Sequence, residues 1–126
     1  MGIGADERKI LSHPKAGFSW EGFVINQLLT LAHMEDPSSK GFFWKTSGGA
    51  EVDLLLKFKE KLIPIEIKFG KPTPNIKGML QCISDLKLDH GYILYFGQEK
   101  RRLSKSITLM PIDELWKNGL KIFKTQ

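Results

Sequence analysis

The pattern of apolar and polar positions sets out the elements of this chain before any motif is considered. Over residues 19–34, Trp20, Val24, Leu28 and Leu31 form one apolar stripe, and Ile25, Leu28 and Ala32 form an adjacent line. That period predicts an amphipathic helix. Ser19 can cap it, and Glu21 falls in its first turn beside the buried stripe. A carboxylate there meets the positive end of the helix dipole. The preceding His13-Pro14 marks a break, because a residue before proline avoids helical angles. Residues 35–40, EDPSSK, read as a loop. From residue 42 the period changes to two. Residues 42–46, 50–58 and 62–69 read as three strands, joined by Ser47-Gly48-Gly49 and by Lys59-Glu60-Lys61, and 70–74 stop the third.

Residues 75–88 return to helical spacing, with Ile76, Met79, Leu80, Ile83 and Leu86 as the packed face. Residues 92–96, YILYF, are apolar throughout, as in a strand covered on both sides. Residues 97–104 read as a basic turn. Residues 106–111 read as a further strand, placed toward an edge by Pro111. A short helix at 114–118, capped by Asp113, and an extended end at 120–123 complete the chain. A long helix between the third and fourth strands requires a crossover and so a parallel pair. The expectation is an α/β fold with a central mixed sheet flanked by helices, in 126 residues that suit one domain.

Strict alternation along the second strand puts Glu51, Asp53 and Lys57 on one face and Val52, Leu54, Leu56 and Phe58 on the other. On the third strand, Ile63, Ile65, Ile67 and Phe69 oppose Glu66 and Lys68. Pairing the two as a hairpin merges the apolar faces and leaves Asp53, Glu66 and Lys68 together. Any half-exposed hairpin shows some such alternation. The I-E-I-K tetrapeptide departs from that ordinary case. Its charges sit in a strand apolar enough to be central, where ionised groups are costly unless paired or metal-bound.

Composition narrows the function classes. No apolar run approaches the roughly 20 residues that span a bilayer. The charged residues of the opening MGIGADERKI are unlike a secretory leader. A single cysteine, Cys82, excludes an intramolecular disulfide and a multi-cysteine zinc site. It lies in a helical apolar pattern and reads as a core residue. These features point to the cytoplasm. The net charge of +5 is compatible with a polyanionic partner. His13, His33 and His90 are scattered and read as loop or surface residues. There is no G-x-x-x-x-G-K-(S/T), no G-x-S-x-G, no H-E-x-x-H and no dinucleotide fingerprint.

Twelve residues separate Asp53 from Glu66, and Lys68 follows two places on, giving D-x(12)-E-x-K across the second and third strands. With the element order, this resembles the PD-(D/E)XK nuclease superfamily, whose restriction-endonuclease-like core is αβββαβ. The residue before the aspartate is Val52 rather than proline. A narrower resemblance runs through F-x-W-E-G-F-V-I-N-Q-L-L, F-W-K-T-S-G-G-A-E-V-D-L-L-L and I-P-I-E-I-K, over roughly residues 16–96. These stretches are similar to the C-terminal domain of bacterial and archaeal AAA+ ATPases called domain of unknown function 4143.

The resemblance implies a nuclease-like domain over residues 1–126: a stand-alone copy, a degraded one, or the C-terminal fragment of a longer ATPase. It implies Mg²⁺ or Mn²⁺ held by Asp53, Glu66, the Ile67 carbonyl and Glu21. Lys68 would orient the attacking water, so Asp53, Glu66, Lys68 and Glu21 make up the implied catalytic set. Lys45, Lys57, Lys71 and Gln81 are candidate nucleic-acid contacts. The function expected is metal-dependent hydrolysis of phosphodiester bonds in DNA. The alternative is a non-catalytic nucleic-acid-binding or regulatory module of an AAA+ ATPase, acting in cis or in trans. A homodimer is compatible with both.

Overall fold

A computed structural model describes residues 19–69 and 75–123. The sequence signals at 13–14 and 70–74, and the candidate contact Lys71, lie outside the described residues. The elements are α1 (Trp20–Glu35), β1 (Lys40–Lys45), β2 (Glu51–Phe58), β3 (Lys61–Lys68), α2 (Lys77–Leu86), β4 (Gly91–Tyr95), β5 (Arg101–Ser104), β6 (Ile107–Pro111) and α3 (Ile112–Asn118). A 3₁₀ turn, Gly119–Phe123, follows. The strands form one mixed sheet in the order β1-β2-β3-β4-β6-β5. β1, β2 and β3 pair antiparallel, and β3, β4 and β6 pair parallel, as the crossover through α2 requires. Among the described residues, three α-helices flank this sheet, and no helix is long and apolar enough to cross a membrane.

Each face of the sheet has its own core. On one side, Val24, Ile25, Leu28 and Ala32 of α1 pack against Leu54, Leu56, Ile65, Ile67 and Leu94, with Leu115 and Phe123 alongside. On the other side, Met79 and Cys82 of α2 pack against Val52, Leu55, Ile93, Ile107 and Leu109. The Ser19 hydroxyl accepts a hydrogen bond from the Gly22 N–H at 3.2 Å and caps α1 as its sequence position suggests. The β2–β3 connection is a tight two-residue turn in which Lys59 and Glu60 both take positive φ, the conformation that matches the twist of a hairpin. Neither is glycine. The Asp36 carboxylate accepts from the Lys59 N–H at 2.8 Å, and Glu35 pairs with the Lys59 ammonium at 3.3 Å. The end of α1 thereby holds the turn in place.

Several expectations are corrected. Residues 101–104, expected in a turn, form the edge strand β5. β6, assigned toward an edge because of Pro111, lies between β4 and β5 and is buried along its whole length. Pro111 is its last residue, where the missing N–H interrupts nothing further. Residues 120–123 are a 3₁₀ turn rather than extended. On α2, Leu80 and Leu86 are exposed, and Met79 and Cys82 form the buried contact. Trp20, expected in the buried stripe of α1, is half-exposed. His90 is not a surface residue: it is buried at the start of β4, with Nε2 2.7 Å from the Thr108 hydroxyl. Burial, and then the charge of Arg102, hold its pKa down.

Candidate functional site

The β2–β3 ladder runs from Phe58–Lys61 only as far as Leu54–Ile65. Beyond that pair the strands exchange two different hydrogen bonds. The Asp53 carboxylate accepts from the Ile67 N–H at 2.9 Å, and Glu66 Oε1 accepts from the Asp53 N–H at 3.3 Å. Two side chains stand where backbone carbonyls would have continued the ladder. Both carboxylates are therefore fixed at the fork between the strands by buried backbone donors, which need partners.

A β-bulge sets this up. On the β1–β2 pair, Phe42 opposes Leu55 and Trp44 opposes Val52, so the register shifts between them. Asp53 and Leu54 together face Phe43, two residues against one. The consequence is read in the cores. Leu54, Leu56 and Phe58 belong to the α1 side, whereas Val52 belongs with Leu55 on the α2 side. The strict alternation expected for β2, with Val52 on the face of Leu54, is thus corrected at Asp53. Glu21 on α1 stands near enough for its charge to act on the Asp53 carboxyl.

The electrostatics follow from crowding. Burial is the largest influence on Asp53 and pushes its pKa up, with the charges of Glu66 and Glu21 adding to it and the Ile67 N–H working the other way; the result is about 8. Glu66 is likewise raised, first by burial, and also by Glu21 and Glu51, while the Asp53 N–H and Lys68 oppose the rise. The Lys68 ammonium stands 3.7 Å from Glu66 Oε2. Among the described residues, Lys68 is the cation in ion-pair contact with these acids, against the charges of Asp53, Glu66 and Glu21.

Glu66 and Lys68 open onto a cleft of about 370 Å³ on the α2 side, which Glu51, Lys77 and Gln81 also line. The helix approaches the strand closely there: a Cβ on Gly78 would stand 3.2 Å from the Glu51 carbonyl oxygen. Lys45 is exposed at the end of β1, in register with Glu51. Lys57 is exposed four residues along β2 from Asp53, in register with Lys40 and Leu62 toward the far turn. Of the sequence candidates, the structure therefore groups Asp53, Glu66, Lys68 and Glu21, places Gln81 on the adjoining cleft, and sets Lys57 toward the opposite end. Lys77 and Glu51 are additional neighbours. Gly78, a glycine inside a helical pattern, is a signal that could have pointed to this close packing.

Hard oxygen donors crowded without enough positive charge suit a divalent cation. Asp53 and Glu66 supply two such groups, and the Ile67 carbonyl lies on the same segment. Among the described residues, no three His, Cys, Asp or Glu side chains converge closely enough to hold a metal by themselves. Glu21 acts on the pair by its charge rather than as a closed third ligand.

A mixed α/β sheet carrying an Asp–Glu–Lys cluster at a strand fork is the class of protein this structure defines. The chain belongs to the family described as Domain of unknown function (DUF4143), whose model matches residues 16–115. It is similar to the uncharacterized proteins Mb2031c of Mycobacterium bovis and Rv2008c of Mycobacterium tuberculosis, each 34% identical over 119 residues. The match covers 93% of this chain and 26% of each relative, so the chain spans about a quarter of their length.

Proposed function

We propose that this domain is a metal-dependent phosphodiesterase acting on DNA, built on a restriction-endonuclease-like core of the PD-(D/E)XK type. The observation that carries the reading is the exchange at the strand fork: Asp53 and Glu66 are each held by the other strand's backbone N–H, with Lys68 beside Glu66. Groups fixed this way need no reorganisation when charge develops near them. Asp53 and Glu66, with the Ile67 carbonyl, would hold Mg²⁺ or Mn²⁺, and Glu21 would add negative charge or hold a metal-bound water. The ion supplies a lowered water pKa and neutralises phosphate charge. Lys68 would hold the attacking water or face the developing negative charge. Glu66 would orient that ammonium through their 3.7 Å contact.

A nicking assay on supercoiled plasmid with Mg²⁺ or Mn²⁺ tests this. Activity is expected from the unaltered chain, and its loss from Glu66→Ala and Lys68→Met. Full metal-dependent nicking by Glu66→Ala would overturn the reading.

A second reading is favoured by one observation. Asp53 and Glu66 each commit an oxygen to a backbone donor, so they have a structural task without any metal. On that reading the domain is a non-catalytic nucleic-acid-binding or regulatory module of an AAA+ ATPase. The greater length of the mycobacterial relatives leaves room for such a partner in cis. Isothermal titration with Mn²⁺ separates the two: binding lost in both Asp53→Asn and Glu66→Gln supports the phosphodiesterase, and no binding by the unaltered chain supports the module.

A further inference from the structure

Five aromatic side chains gather at the end of the sheet where the central strands β3 and β4 finish, and each is between 37% and 51% exposed: Trp20, Phe23, Phe69, Phe96 and Trp116. They form a connected arc. Phe96 is its hub, with ring centroids 5.2 Å from Phe69, 5.8 Å from Trp20 and 6.4 Å from Trp116. Trp20 meets Phe23 edge-on at 5.7 Å. The topology explains the assembly. Lys68 and Tyr95 are register partners on the parallel strands, so the next residues, Phe69 and Phe96, emerge side by side. Trp20 precedes Glu21 at the start of α1. Phe69 follows Ile67, whose N–H holds Asp53, by two residues, or about 7 Å of extended chain. The arc therefore begins next to the carboxylates.

Its far end opens into a groove of about 520 Å³ between α1 and α3. Phe23 and Trp116 form aromatic walls, and Asn26, Gln27 and Thr30 supply the polar groups. The Trp116 indole N–H donates to Gln27 Oε1 at 2.7 Å, which fixes the ring. The described residues lining the groove carry no charge.

We infer that this arc and groove are a stacking platform for unpaired bases, so that the site takes single-stranded nucleic acid or a strand with extruded bases. The inference deepens the proposed function and rests on its reading of the site as one for nucleic acid. Large exposed apolar patches mark binding surfaces. Uncharged walls with aromatic faces and amide side chains suit a neutral heterocycle with hydrogen-bonding edges. They do not suit a phosphate, or an aliphatic helix face that would leave the amides unpaired. The net charge of +5 supplies the sequence-independent attraction to the backbone. Stacking of this kind tolerates any base.

The test is fluorescence anisotropy with a labelled mixed-sequence 12-mer, single-stranded or annealed as a blunt duplex, in EDTA so that cleavage does not intervene. The single strand is expected to bind at least about tenfold more tightly than the duplex. Trp116→Ala and Phe96→Ala should each weaken it by about fivefold to a hundredfold, while leaving duplex binding nearly unchanged. Phe96→Leu keeps the apolar volume without the ring, so it should also weaken binding, and thermal melts confirm folding of each variant. Quenching of tryptophan fluorescence by the unlabelled single strand gives a readout that needs no variant. Equal affinity for the two forms, or ring variants that bind the single strand normally, overturns the inference. A surface that instead covers a protein partner would give that second result. Loss of cleavage in every form with ring-dependent binding retained would sink the hydrolytic reading alone. Cleavage of duplex and single strand alike, indifferent to the rings, would sink the platform alone.

Discussion

Asp53 and Ile67 are joined by a hydrogen bond that a regular hairpin does not contain: a side-chain carboxylate, not a backbone carbonyl, accepts from the Ile67 N–H at 2.9 Å. Asn at position 53 can still accept through its amide oxygen, whereas Ala leaves the donor orphaned. Asp53→Ala is therefore expected to be less stable than Asp53→Asn by about 1–3 kcal/mol in urea unfolding. Equal stabilities would show that the Ile67 N–H finds another partner.

The same carboxyl makes stability depend on pH. In the folded chain it keeps its proton up to about pH 8, against an ordinary value of 3.8. Between those values the folded state binds more protons than the unfolded state, so this group's contribution to stability falls as pH rises. The contribution is complete below pH 4 and lost through pH 8. In metal-free buffer the melting temperature should drop between pH 5 and pH 8.5 by several degrees. Asp53→Asn should flatten that slope, which a series of calorimetric melts would reveal.

Metal binding should run the opposite way, because a carboxylate ligand must lose its proton first. Mn²⁺ is expected to raise the melting temperature more at pH 8.5 than at pH 6 and to release close to one proton per ion at neutral pH. Titration calorimetry in two buffers of different ionisation enthalpy measures that release. Glu66→Gln should abolish the thermal shift.

Tyr92 carries a buried hydroxyl with no hydrogen-bond partner among the described residues, packed between Phe123 and His90 rings at 4.7 and 5.2 Å. Burial pushes its pKa up to about 12. An unpaired buried hydroxyl costs free energy. Tyr92→Phe keeps the ring contacts and should stabilise the chain by about 1 kcal/mol, read as a higher urea midpoint with an unchanged slope.

Cys82 is fully buried among Val52, Leu55 and Met79, and burial, with Asp85 nearby, raises its thiol to about 12. Reaction with a thiol reagent needs the thiolate. Labelling at pH 8 should therefore follow global unfolding, and its rate should rise in step with denaturant. Rapid labelling of the native chain would contradict this placement.

Much of this was legible in the sequence, and the rest was hidden for identifiable reasons. The strand run from 42 to 69, the parallel β3–β4 pair and the pairing of Asp53 with Glu66 follow from period and spacing. The bulge did not, because an extra residue leaves no compositional mark; the register shift against β1 and the partition of Val52 and Leu54 between two cores expose it. β5 was missed because RRLS is polar, as an edge strand facing water is allowed to be. The position of β6 was misjudged because Pro111 was read as an edge signal, although a proline at the end of a strand removes no ladder bond. His90 does lie in the connection before β4, but its burial was hidden because its partner, Thr108, is distant in sequence. The aromatic arc was likewise spread over 97 positions, and Trp20 was assigned to the core on helical period alone.

The two carboxylates that close the β2–β3 fork have a consequence for how this family evolves. A member of the family without any catalytic activity would still need an acceptor for the Ile67 N–H and for the Asp53 N–H. Selection for folding alone would therefore keep oxygen-bearing side chains at positions 53 and 66. Among the described residues, no hydrogen bond to backbone ties the side chains of Lys68 and Glu21 in this way, so they are freer to drift. Their retention or loss among relatives, rather than that of Asp53 and Glu66, is the record of whether chemistry was maintained.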